Sequence, residues 1–312
     1  MAASALLLTP GQPFSPLLRT GADEYTGFRQ GQLCVTLSIG GIDCNGIITH
    51  TDDGDMVILD TEEASDEFRS LALVSMELRR PLMQAVSSAQ KQPADSRLNQ
   101  SLMQMLRLVS NMADIGRYTA SSRTELREVD SFLLELFEKA QALAGSRARI
   151  TYEGMAKPVF SQIDPEQLER AIWNILSNSL KFLPRDGRIT AKLTRTGNML
   201  RLTVTDNGSG IPEAVRSSLF SRYLRQPGIE DGRFGFGLGL AIVRTAAANH
   251  GGTVLIGTGK NGGTTVTMTL AIRQDDSNSL RSPLLRPDYT GGWDHGLVEL
   301  ADCLDPDLYF KL

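Results

Sequence analysis

Asn174-Ile-Leu-Ser-Asn178-Ser-Leu-Lys181-Phe182 decides how the rest of this 312-residue chain is read. Apolar residues at Leu168, Ile172, Ile175, Leu176 and Leu180 recur at helical spacing. The segment therefore predicts a helix, opened by Asp164-Pro165-Glu166 (an acidic cap with Pro at the first position) and ended before Pro184 and Gly187. On it Asn174 and Asn178 share a face with Lys181 in the following turn. That face offers amide oxygens to a hard cation and an ammonium to phosphate. Taken alone, it is equally an ordinary exposed polar face.

Downstream, three more polar motifs fall where strands and helices meet. Strands are predicted at Arg188–Thr194 and Met199–Thr205, with Ile189, Ala191 and Leu193 on one face of the first and Leu200, Leu202 and Val204 on one face of the second. Asp206-Asn-Gly208-Ser-Gly210 follows directly. A carboxylate at a strand end can accept a hydrogen bond from an exocyclic amine, and the glycines let backbone approach a flat ring; alone, the same residues read as a capped tight turn. Gly235-Phe-Gly237-Leu238-Gly239-Leu240 opens a helix through Ala248, where exposed N–H groups suit phosphate oxygens. Gly262-Gly263-Thr264-Thr265 enters a last strand, reaching Ile272. Between Gly210 and Gly235 lies a polar segment carrying Tyr223 and Arg225, long enough to fold over a ligand. The glycines form neither a Rossmann fingerprint nor a P-loop, for want of the first strand-helix turn and of a following Lys-Ser or Lys-Thr.

Upstream, residues 1–60 read as a tail and a small β element: short strands at Leu33–Ile39, Gly46–Thr49 and Met56–Leu59. They form either a truncated sensory module or a sheet packed on the helices that follow. Residues 61–122 carry two apolar stripes, Leu71, Val74, Leu78, Leu82, Ala85, Ala89 and then Leu98, Leu102, Met105, Val109, Met112, with Pro81 inside the first. They predict an antiparallel hairpin whose one-faced helices are completed by a second copy in a four-helix bundle. Residues 123–272 hold the motifs, with a further helix expected over Glu125–Ala144, and residues 273–312 read as a partly mobile tail whose aromatic tip docks on the body or on a partner. The fold class is α+β: a two-layer sandwich preceded by the hairpin and the small β element. A formal net charge of −4 gives no broad attraction to nucleic acid, and Cys34, Cys44 and Cys303 are too scattered for a disulfide framework or a zinc cluster. No run approaches the ~18–20 apolar residues of a membrane span, so the expected location is cytoplasmic.

Together the motifs resemble the ATP-binding domain of sensor histidine kinases, within the superfamily that includes gyrase, Hsp90-type chaperones and MutL. Asn174–Phe182 resembles the family's N box, Asp206–Gly210 and Gly235–Leu240 its glycine boxes, Leu219–Arg225 its phenylalanine-bearing box and Gly262–Thr265 its last box. The resemblance implies that Asn178 holds Mg²⁺, with Asn174 helping, and that Asp206 reads the adenine amine. It further implies that Lys181, Phe182, Tyr223, Arg225, Gly208, Gly210, Gly235, Gly237, Leu238, Gly239, Leu240 and Thr264 line the ATP. The hairpin implies a homodimer acting on a response regulator or beside an intact partner kinase.

The first hairpin helix departs from the family at one position. Where the family has His-Glu-x-Arg-x-Pro-Leu, this chain has Met76-Glu77-Leu78-Arg79-Arg80-Pro81-Leu82. A thioether has no proton to lose and cannot form the phosphoramidate that imidazole forms. Glu77 would serve as general base only with a His in place. Four readings follow: an ATP-binding protein signalling through shape or a partner, a variant of an active kinase, transfer to another residue or in trans, and a nucleotide-independent scaffold.

Overall fold

The computed structural model describes residues 13–27, 31–39, 42–51, 54–59, 65–89, 95–117, 124–211, 238–259, 262–274 and 288–310. Its centre is one eight-stranded mixed sheet. Five strands come from the motif-bearing region: β5 (Ala148–Glu153), β7 (Gly187–Thr196), β8 (Met199–Asp206), β9 (Val254–Thr258) and β10 (Thr264–Ala271). Three come from the N-terminal region: β1 (Gln32–Ile39), β2 (Ile42–Thr51) and β3 (Gly54–Leu59). The order is β3-β2-β1-β9-β10-β8-β7-β5, antiparallel throughout except for the parallel pair β5–β7. β4 (Glu125–Glu128) and β6 (Phe160–Ile163) form a separate antiparallel pair.

Alternation sets the two faces. Ile189, Ala191 and Leu193 on β7 and Leu200, Leu202 and Val204 on β8 are buried, as the period of two requires. The opposite face is polar, and across it Thr203 meets Thr267 (3.4 Å) and Thr205 meets Thr265 (3.1 Å) as cross-strand hydroxyl pairs. The buried face packs on α4 (Val129–Ala144), α5 (Pro165–Phe182) and α6 (Leu238–Asn249), giving the two-layer α/β sandwich expected from the sequence.

The N-terminal strands do not stand apart from this sandwich. β1 pairs with β9 along Gln32–Cys34 and so extends the sheet edge-on. A second, smaller core of Leu33, Val35, Leu37, Ile39 and Ile48 is covered by Phe14, Leu17, Leu18 and Tyr25, the last belonging to the short helix α1 (Ala22–Gly27). The hairpin consists of α2 (Ser65–Ala89) and α3 (Ser96–Arg117), with Pro81 inside α2.

One expectation is corrected. The helix expected from Glu125 begins at Val129, because Glu125–Glu128 pairs with β6 and the Glu128 carboxylate caps α4 through the N–H groups of Asp130 and Ser131. Leu126, within that expected span, is exposed on β4. Of the two alternatives for the C-terminal aromatic tip, the body or a partner, the described residues 288–310 take the body. There α7 (His295–Glu299) packs against α3, α4 and α5, and Tyr309 is fully buried.

Candidate nucleotide site

α5 is fastened at both ends. The Asp164 carboxylate caps it through the Gln167 N–H (3.1 Å), with Pro165 in the first turn. The Asp164 N–H in turn donates to His250 Nε2 (2.9 Å), while His250 Nδ1 meets the Ala246 carbonyl (2.6 Å). An acceptor at Nε2 and a donor at Nδ1 fix one neutral tautomer, and burial pushes the His250 pKa down from its usual value. This histidine joins the end of α6 to the start of α5.

At the far end of α5 the motifs converge on Asp206, which ends β8 and is buried. Its Oδ1 accepts the N–H groups of Gly208 (2.9 Å) and Thr264 (3.0 Å), and its Oδ2 accepts the Ser179 hydroxyl (3.0 Å). Ser179, which meets Asp206, is the residue after Asn178 on α5. Four lone-pair directions less three donors leave Asp206 one acceptor position for a further N–H. The backbone closes tightly here. Ser209 N–H donates to the Phe182 carbonyl (3.2 Å), and a Cβ on Gly208 would stand 2.8 Å from that oxygen. Gly263, at φ +73°, leaves no room for a Cβ against the Asp206 carbonyl. Gly210, at φ +74°, faces Gly263.

Asn174, Asn178, Lys181, Phe182, Asp206, Gly208, Gly210, Gly239 and Thr264 are thus carried by adjoining elements. Leu238 is buried at the start of α6 and Leu240 half-buried beside it, and a Cβ on Gly239 would stand 2.7 Å from Asn174 Oδ1. Tyr223, Arg225, Gly235 and Gly237 lie outside the described residues. Glu77 stands exposed on α2 and is not among the groups that meet Asp206; Met76 occupies the preceding position of that helix. Asn178 is half-buried. Asn174 is engaged at both ends of its amide, donating to the Arg170 carbonyl (2.9 Å) and accepting from Arg107 (3.3 Å). Among the described residues no cluster of three or more His, Cys, Asp or Glu could hold a metal. A cation here would rest on an amide and on phosphate oxygens instead, as Mg²⁺ beside phosphates does.

Sequence reasoning did not find the ionic set lying against this face. Arg107 of α3 pairs with Glu299 (3.2 Å) and Asp302 (2.7 Å), and Lys181 pairs with Asp302 (2.9 Å). Arg170 of α5 pairs with Asp114 (2.5 Å), donates to Asn111 (2.6 Å), lies 3.5 Å from Glu299 and stacks on the Tyr289 ring at 4.4 Å. Burial alone would raise the Asp302 pKa, but the charges of Lys181 and Arg107 outweigh it and hold the carboxyl below its ordinary value. The only signal in the sequence was a pair of acids set into the apolar run Val298-Glu299-Leu300-Ala301-Asp302, with arginines on two distant helices.

Residues 163–274 match the family described as histidine kinase-, DNA gyrase B-, and HSP90-like ATPase. An uncharacterized sensor-like histidine kinase of Rhizobium meliloti (strain 1021) is 30% identical over 236 residues, covering 67% of this chain and 44% of that protein. The histidine protein kinase DivJ of Caulobacter vibrioides is 29% identical over 237 residues, covering 70% of this chain and 40% of that protein. The chain thus spans less than half the length of these relatives. Full-length ShkA, solved in complex with AMPPNP, superposes with a TM-score of 0.53 at 21% identity, over 66% of this chain and 46% of that one. This is a likeness of fold.

Proposed function

Residues 163–274 constitute an ATP-binding domain of the sensor histidine kinase family, and from that premise we propose that the chain binds Mg-ATP between β8, α5 and α6 and signals through the state of that site. The observation that carries this reading is the Asp206 carboxylate. It is oriented by Ser179, Gly208 and Thr264, with one acceptor position left for an adenine amine. A base lacking the amine would leave that buried acceptor unpaired, at about 1–3 kcal/mol. Lys181 supplies a cation for phosphate and Asn178 an amide oxygen for Mg²⁺, whose bound form would neutralise phosphate charge. Asn174, its amide engaged by Arg170 of α5 and Arg107 of α3, lies close against Gly239 of α6.

Met76 removes the usual phosphoacceptor, so family-type autophosphorylation fails, and output passes through nucleotide-dependent conformation or a partner kinase or response regulator. The exposed Val74, Leu78, Leu98 and Met105 on α2 and α3 support a homodimer through the hairpin. A second reading, a variant of an active kinase, is favoured by the retained Glu77, Arg79, Pro81 and Leu82 around Met76. The two are separated in one experiment. Calorimetry with Mg-ATP is expected to show binding to the wild type and about tenfold or greater weakening in Asp206→Ala; equal affinities would remove Asp206 as the base reader. Met76→His is then incubated with labelled ATP. Acid-labile label would establish that only the nucleophile is missing, and no label at saturating Mg-ATP would remove the active-kinase reading.

A further inference from the structure

The segment 288–310 lies beyond the family-matched residues 163–274, yet it follows the polar face of α5 turn by turn. Arg107, paired to Glu299 of this segment, reaches Asn174 (3.3 Å). The Cys303 thiol meets the Ser177 hydroxyl (3.5 Å) and carbonyl (3.4 Å), and Asp302 meets Lys181 (2.9 Å). Positions 174, 177 and 181 are one helical face. Among the described residues, ion pairs here join three cations, Arg107, Arg170 and Lys181, to three carboxylates, Asp114, Glu299 and Asp302.

A nucleotide phosphate reaching Lys181 would bring negative charge up against Asp302 inside this largely buried set. An uncompensated buried charge is strongly unfavourable, so a carboxylate must leave. The side chains of Glu299 and Asp114 are 0% and 7% exposed, whereas that of Asp302 is 35% exposed and can return to water most easily. The segment is also held on the hairpin independently of α5. Asn99 donates to the Tyr309 carbonyl (2.9 Å), and Gln100 to the carbonyls of Ala301 and Leu304 (both 2.9 Å). Release from α5 therefore need not free the segment.

We propose that residues 295–304 form an autoinhibitory strap over the nucleotide site, in which the Asp302 carboxylate takes the place of a nucleotide phosphate at Lys181, so that strap docking and ATP binding exclude one another. The proposal rests on the reading of α5 as the phosphate side of an ATP site. Because the strap also holds Arg107 of α3, ATP arrival loosens the join between hairpin and nucleotide domain, and coupling of this kind is reciprocal. Where the competent state is a fraction of the total, removing the competitor raises apparent affinity by the reciprocal of that fraction.

The test uses the full chain with Asp302→Asn, which keeps shape and removes charge, and ATP as the probe. Calorimetry at low salt is expected to show ATP binding about twofold to fivefold tighter than to the wild type, the scale of a partly exposed ion pair. Hydrogen exchange of wild-type residues 299–304 is expected to quicken on saturation with ATP. Unchanged affinity in the variant, or exchange that ATP leaves unaltered in the wild type, would overturn the strap while leaving the nucleotide reading in place. If neither protein binds ATP, the nucleotide reading itself falls and the strap with it.

Discussion

Asp206 and Gly263 show how far single residues specify this site. The sequence reading had Asp206 as a carboxylate with glycines beside it; the structure adds that Gly263 must be glycine, because its φ of +73° and its approach to the Asp206 carbonyl both exclude a side chain. Gly263→Ala is expected to destabilise the fold by about 1–3 kcal/mol, measured by denaturant unfolding. It should also weaken ATP binding, since the Thr264 N–H that orients Asp206 moves with it. A variant of wild-type stability would show that the turn relaxes without strain. The residues around Asp206 were legible because each motif is local. Arg107, Glu299 and Asp302 were not, because nothing in a linear pattern ties an arginine of the hairpin to acids nearly two hundred positions later.

At the level of the helix, two histidines give opposite responses to pH. His250 is held neutral between Ala246 and Asp164, with its pKa depressed by burial below the ordinary 6.5. Its contribution to stability is complete above about 6.5 and is lost as pH falls toward the folded-state pKa. His295 lies between Glu169 of α5 (2.9 Å) and Asp288 (3.0 Å), against the Tyr289 ring. Burial acts to lower its pKa, but the hydrogen bonds and charges of the two carboxylates prevail and raise it. Its hold on α7 is therefore complete below 6.5 and weakens as pH rises through the raised value. Hydrogen exchange between pH 5 and 9 should show the ends of α5 and α6 loosening on the acid side and residues 295–299 on the alkaline side. His250→Gln and His295→Gln should each flatten one limb alone, and an unchanged limb would remove that assignment. Helical periodicity was a good guide to the apolar stripe of α5, where Leu168, Ile172, Ile175, Leu176 and Leu180 are all buried, but it gave no sign that Arg170, Asn174 and Ser177 of the polar face are buried as well. It was a poorer guide to α3, where Leu102 and Val109 of the expected stripe are buried but Leu98 and Met105 are exposed, and Met103, Leu106 and Asp114 are buried as well. A helix in contact on two sides has no single stripe to read.

For the whole molecule, the exposed residues Val74, Leu78, Leu98 and Met105 predict that the full chain sediments as a dimer and that Leu78→Glu shifts it to monomer without loss of helicity by circular dichroism. A wild-type monomer at high concentration would remove the bundle. The long-range joins were the least legible feature, because strand pairing between β1 and β9 depends on backbone groups that every residue carries. That pairing bears on how the protein can be divided. Cutting the chain to residues 163–274 would strip β1 from β9 and β5 from β7, leaving two rows of bare amides and carbonyls along the fragment's flanks. It would also uncover Trp173, which is fully buried and beside Gly296 in the intact chain. Such a fragment is a template for aggregation, and the smallest well-behaved piece is expected to need both the N-terminal strands and the segment ending near Phe310.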